Sequence, residues 1–93
     1  MSKFDPPLDK GIARYVQVLV IAGIETFESC EGGAGHAYPE PTIRFHGDNS
    51  SGFKALSIAL QHQLPVTALR RIWVVIDNEP VGPEWEMTFL EPL

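Results

Sequence analysis

Twice along this chain, apolar residues recurring every three to four positions give way to short alternating stretches broken by glycine and proline. A stripe at helical spacing has to be buried against another layer, and an alternating strand offers one apolar face to bury it. With 93 residues there is room for one core, so both helices and all strands must share it. The expected fold is a single α+β domain. Its simplest form is a two-layer sandwich with two helices on one face of a four-stranded, mainly antiparallel sheet, built as helix-strand-strand twice.

The first seven residues carry Asp5-Pro6-Pro7 and no periodicity, which predicts an extended arm over residues 1–8. Asp9 is placed to cap a helix over residues 10–22, with Ile12, Val16 and Leu19 on one side and Gly23 as a left-handed stop. Residues 24–30 read as a strand, and Thr42-Ile43-Arg44-Phe45-His46 alternates as its antiparallel partner. Ser50 or Ser51 is expected to cap a second helix over residues 52–63, whose apolar stripe is Phe53, Leu56, Leu60 and Leu64. Residues 69–76 form the most strand-prone stretch. The turn-rich residues 77–83 then lead to Trp85, Met87 and Phe89, which alternate with Glu84, Glu86 and Thr88. The predicted core is Ile12, Val16, Leu19, Ile24, Phe27, Ile43, Phe45, Phe53, Leu56, Leu60, Ile72, Val74, Trp85, Met87 and Phe89. The two halves share element order and a Glu-Pro in each loop, Glu40-Pro41 and Glu79-Pro80, without sustained identity, so duplication stays open.

Charge placement excludes more than its sum of −5 does. Residues 25–43 hold Glu25, Glu28, Glu31 and Glu40, and residues 72–93 hold Asp77, Glu79, Glu84, Glu86 and Glu91; neither carries Lys or Arg. Such a surface repels phosphate, so direct nucleic-acid binding is not expected. The basic pair Arg70-Arg71 fits better as a partner for the surplus glutamates. The longest apolar run, residues 15–24, contains Gln17 and is too short to span a bilayer, and no leader-like sequence opens the chain. No membrane partner is expected. A lone cysteine, Cys30, fits a reducing compartment, and a cytoplasmic location is the expectation.

The loop after the first strand concentrates what chemistry the sequence offers. It brings Cys30, His36 and several carboxylates close in sequence among Gly32, Gly33 and Gly35. Cys30 with His36 or His46 would make a nucleophilic pair, and the Gly32 and Gly33 amides an oxyanion site. Glu28 and Glu31 oppose this, because a reactive thiolate is normally found in electropositive surroundings. A small buried thiol is the competing account. For a metal, Cys30, His36, His46 and Glu40 are the nearby donors, yet no paired Cys-x-x-Cys or His-x-x-x-His spacing is present, and neither metal nor cofactor is expected. No Lys-Ser/Thr follows the glycines, so a phosphate loop is a poor fit. The aromatics Phe27, Phe45, Trp73 and Trp85 sit at strand spacing and read as core before groove.

The Ser29-Cys30-Glu31-Gly32 element, followed by Gly35-His36 and Tyr38-Pro39-Glu40-Pro41, resembles small bacterial and prophage-type proteins over most of the chain. The resemblance implies a standing small family and carries no activity onto these residues. From the residues themselves, the favoured function is a small acidic, non-catalytic protein-interaction module, of the kind a mobile element uses as inhibitor or adaptor. Glu28, Glu31, His36, Glu40, Glu79 and Glu84 would engage a basic protein surface. This assumes both acidic loops lie at one end of the sheet. The alternative is a small enzyme or ligand-binding domain centred on Cys30, His36 and Glu40.

Overall fold

A computed structural model describes residues 10–35 and 37–90; the expected arm over residues 1–8, the Asp9 cap and His36 lie outside them. The elements run α1 (Lys10–Ile21), β1 (Glu25–Cys30), β2 (Thr42–His46), α2 (Asn49–Gln61), β3 (Val66–Ile76) and β4 (Glu79–Phe89). The strands form one antiparallel sheet in the order β1-β2-β4-β3. Both helices cover one face, giving the expected α+β sandwich of helix-strand-strand twice. No helix among the described residues is long and apolar enough to cross a membrane.

Strand alternation sorts the sheet into two unlike faces. Ile43 and Phe45 of β2 pair with Met87 and Trp85 of β4, and all four side chains point into the helices. There they meet Ile12, Val16 and Leu19 of α1, Ala55 and Ala59 of α2, and the flanking Ile24, Leu64 and Phe89. Tyr15 closes the α1 side with its ring 4.8 Å from that of Phe89. On the opposite face β2, β4 and β3 present Arg44, Glu86 and Arg70 in turn.

Both helices stop in the same way. After α1, Gly23 takes a φ of +90°, its N–H donates to Val20 O (3.0 Å), and Ile24 N–H donates to Leu19 O (3.0 Å). After α2, Gln63 takes a φ of +58°, with Gln63 N–H donating to Leu60 O (3.0 Å) and Leu64 N–H to Ala59 O (2.9 Å). In each motif a buried apolar residue follows the left-handed position and packs back on the helix. Only the first uses the glycine that this backbone favours. The α2 N-terminus lies earlier than the sequence predicted. Asp48, and not Ser50 or Ser51, is the cap: its carboxylate accepts from Ser51 N–H (3.0 Å) and from both serine hydroxyls. Those hydrogen bonds, Ser50's first, hold the Asp48 carboxyl below its ordinary pKa.

The expected α2 stripe is rotated by about one residue. Gly52, Ala55 and Ala59 are buried, Leu56 is half-buried, and Phe53 and Leu60 are exposed. Trp85 is the cause. Its indole Nε1–H donates to Asp48 O (2.9 Å) and its ring lies against Gly52, where an added Cβ would come within 2.3 Å of it. The helix approaches the sheet so closely that only small residues fit between, and its large ones are pushed to the flanks. Phe27, expected in the core, is the extra residue of a β1 bulge and stacks on His46 at 4.2 Å. Ile72 and Val74, also expected inside, are half-buried because the strand carrying them outruns the sheet.

Gly52→Ala is therefore expected to destabilise by about 1–3 kcal/mol through overpacking against Trp85, while Leu60→Ala stays within about 0.5 kcal/mol. Urea midpoints of the two variants check this. Gln63→Gly is expected to stabilise by about 0.5–1 kcal/mol, since it relieves a left-handed side-chain residue. A lowered thermal midpoint for that variant would contradict the end-motif assignment.

Candidate functional site

The glycine-rich loop folds back on itself through its own backbone. Gly32, at φ +82°, passes so close to the returning chain that a Cβ there would lie 2.5 Å from Glu40 C and Pro41 N. Its N–H donates to Cys30 Sγ (3.5 Å), and Gly33 N–H donates to Pro39 O (2.9 Å). Both amides proposed as an oxyanion site are thus engaged inside the loop. Cys30 is buried at the end of β1, opposite Thr42. His46 is four residues further along β2, about 13 Å away at ordinary strand rise, and cannot take the Cys30 proton. Among the described residues no three His, Cys, Asp or Glu converge as a metal shell requires.

Across the polar face runs one row of alternating charge, a residue from each strand. Glu28, Arg44, Glu86 and Arg70 are successive cross-strand neighbours on β1, β2, β4 and β3. Arg44 Nε and Nη2 each donate to Glu86 Oε2 at 3.1 Å, and Nη1 lies 3.5 Å from Glu28 Oε1. Arg70 Nη1 sits 3.6 Å from the other Glu86 oxygen. Tyr38 reaches in from the loop, its hydroxyl donating to Glu28 and its ring stacking under the Arg44 guanidinium at 5.1 Å. Burial, then the hydrogen bond to and charge of Glu28, raise the Tyr38 phenol above its ordinary 10.0. Opposite charges in adjacent strands fix register, and here they join the glycine-rich loop to the sheet.

The expected acidic face does not assemble. Because β2 and β4 pair antiparallel, the β1–β2 loop lies at one end of the sheet and the β3–β4 turn at the other. Glu31 and Glu40 are thereby separated from Glu79. Glu28 is committed to Arg44 and Tyr38, and Glu31 accepts from Gly11 N–H (3.0 Å) at the start of α1. Glu84 is half-buried, with Oε2 shielded from solvent and without a hydrogen-bond partner. Glu79 is exposed at the tip of the β3–β4 hairpin, beside Asp77.

That tip belongs to a feature the sequence did not predict. β2 pairs with β4 only from Trp85 to Thr88, whereas β3 follows β4 out to Ile76 and Glu79. Residues 72–84 therefore leave the sheet as a two-stranded arm, roughly 15–20 Å long at ordinary strand rise. Its turn is two residues, Asp77 and Asn78, at φ +52° and +65°, the left-handed pair that matches hairpin twist. Of residues 77–83, expected as turn, only Asp77 and Asn78 are turn, and the strand resumes at Glu79. Pro80 pairs with Val75 next to the closing Ile76–Glu79 pair, so its nitrogen points to the open side of β4. Gly82 and Pro83 both oppose Trp73 and form a bulge. Among the described residues no layer covers either face of the arm, and Trp73 is 59% exposed, Val75 69%, Ile76 53% and Val81 43%. The useful sequence signal is Asp77-Asn78 directly after the β-branched run Val74-Val75-Ile76.

Arg44→Ala is expected to cost about 1–3 kcal/mol, because it leaves the half-buried Glu86 with Arg70 alone and frees Tyr38. Arg44→Lys should recover only part of that loss, lacking the planar fork. Equilibrium denaturation of both variants provides the measurement. Compared with known proteins, the chain matches no family model, no curated protein and no solved structure.

Proposed function

We propose that the chain is a non-catalytic protein-interaction module that engages its partner through the β3–β4 arm, in the manner of a small adaptor or inhibitor. The observation that carries this is the exposure of Trp73, Val75, Ile76 and Val81 on a hairpin that no other layer covers among the described residues. Trp73 and Val75 stand on one face of the hairpin and Ile76 and Val81 on the other, each face offering on the order of 200 Å² of apolar surface. Tryptophan and β-branched residues on a preformed hairpin make contact area at low entropic cost, which suits them as anchors.

Charge supplies the complementary preference. Asp77 and Glu79 at the arm's tip favour a partner with basic residues, and such rim charges act mainly on the rate of encounter. The acidic character expected from the sequence is thus retained at one place, the tip, in company with an apolar stem. The favoured partner remains a protein with a basic surface.

The test uses the full chain as bait, as wild type and as Trp73→Ser/Val75→Ser, with mass spectrometry of the retained proteins at low and at high salt. A partner held by the wild type should fall about tenfold or more in the double variant, the size of effect that loss of an anchor residue produces. Identical retention by both baits would rule out the arm as the binding element.

A further inference from the structure

The two edges of the sheet are built differently. β1, at one edge, is six residues long, carries Glu25 and Glu28, and is broken by the Phe27 bulge, which are the devices by which edge strands avoid pairing. β3, at the other edge, is 11 residues long, and from Ile72 to Ile76 it has no charge, no proline and no glycine. Among the described residues no strand pairs with its outer side.

From this edge we infer, building on the arm as the binding element, that the protein's partner is a second copy of itself, joined by antiparallel pairing of the two β3 strands about a two-fold at Val74. Backbone parity limits the register to two-folds that pass through a residue. The hairpin closes on Ile76 and Glu79, so Ile76 and Val74 direct their amide and carbonyl towards β4, and Val75 and Trp73 direct theirs outwards. A two-fold at Val74 sets Trp73 of each strand opposite Val75 of the other, so the outward groups satisfy one another in two hydrogen-bonded pairs. Aromatic against β-branched is also a favourable cross-strand match.

The same register is the one that charge favours. It brings the Arg70-Arg71 end of each strand alongside the Asp77/Glu79 tip of the other, twice by symmetry. Shifting the two-fold to Trp73 would set Arg71 opposite Val75 and lose that match. The basic surface that the acidic tip calls for is therefore carried by the chain itself. Only the side of the arm facing the partner edge is covered, which puts the contact at the low end of specific interfaces and makes the dimer reversible.

Sedimentation over a concentration series should show the mass rising from 10.3 kDa towards about twice that value. Val75→Pro removes an outward N–H without touching the β3–β4 ladder and should remain monomeric with an unchanged circular-dichroism spectrum. If that variant misfolds, cysteine placement decides. Val74→Cys should cross-link readily to a covalent dimer under mild oxidation, since only residue 74 meets its own copy, and Trp73→Cys should not. A chain that is monomeric throughout, or equal cross-linking at positions 73 and 74, overturns the self-pairing. A monomer whose arm variants still lose a retained protein overturns the self-pairing alone. A monomer whose arm variants lose nothing overturns the arm's role as well.

Discussion

Most of this architecture depends on the seam between β2 and β4. Only four residue pairs join them, Thr42–Thr88 to Phe45–Trp85, yet that short antiparallel ladder unites two hairpins into one sheet. It puts β1 and β3 at the edges, and it reverses the second hairpin relative to the first. Topologically, the two helix-strand-strand halves are related by a two-fold through the seam and not by a translation. The seam also carries the densest interactions of both faces. Ile43, Phe45, Trp85 and Met87 meet the helices on one side, and the Arg44–Glu86 fork lies on the other.

A mismatch in strand length across the seam accounts for the exposed arm. β2 has five residues and β4 has eleven, so the outer half of β4 and its β3 neighbour extend past anything that could bury them. Apolar residues placed there do not serve the core. The opposite end of the molecule is closed by contrast. There the glycine-rich loop is held by Gly32 against the returning chain, by Gly33 on Pro39, and by Tyr38 against Arg44 and Glu28. Cys30 ends β1 at that loop, where its sulfur accepts from Gly32 N–H.

Reading the candidate site from sequence failed for a specific physical reason at each residue. Glu28 looks solvent-facing in a list of carboxylates, but a cross-strand arginine neutralises it. Glu84 alternates correctly as a strand residue, yet a bulge of Gly82 and Pro83 alters its surroundings. Proline and glycine at residues 80–83 normally signal a loop, and here they are tolerated because β4 has an open side beyond the seam. The α2 stripe was misjudged because large apolar residues were given priority, when the close approach of Trp85 demanded small ones.

What the sequence by itself determined is local: two helices and their stops, four strands, the alternation that makes one sheet face apolar, and hence the α+β class. Those follow from periodicity, from Gly23, and from β-branched and aromatic alternation, all of which act over a few residues. Strand order, the ends at which the loops emerge, the faces of α2 and the existence of a free arm were decided by tertiary pairing. Each depends on which strand meets which across the seam, and that choice is made by the packing of Trp85 on Gly52 and the charge row through Arg44, between residues more than thirty positions apart.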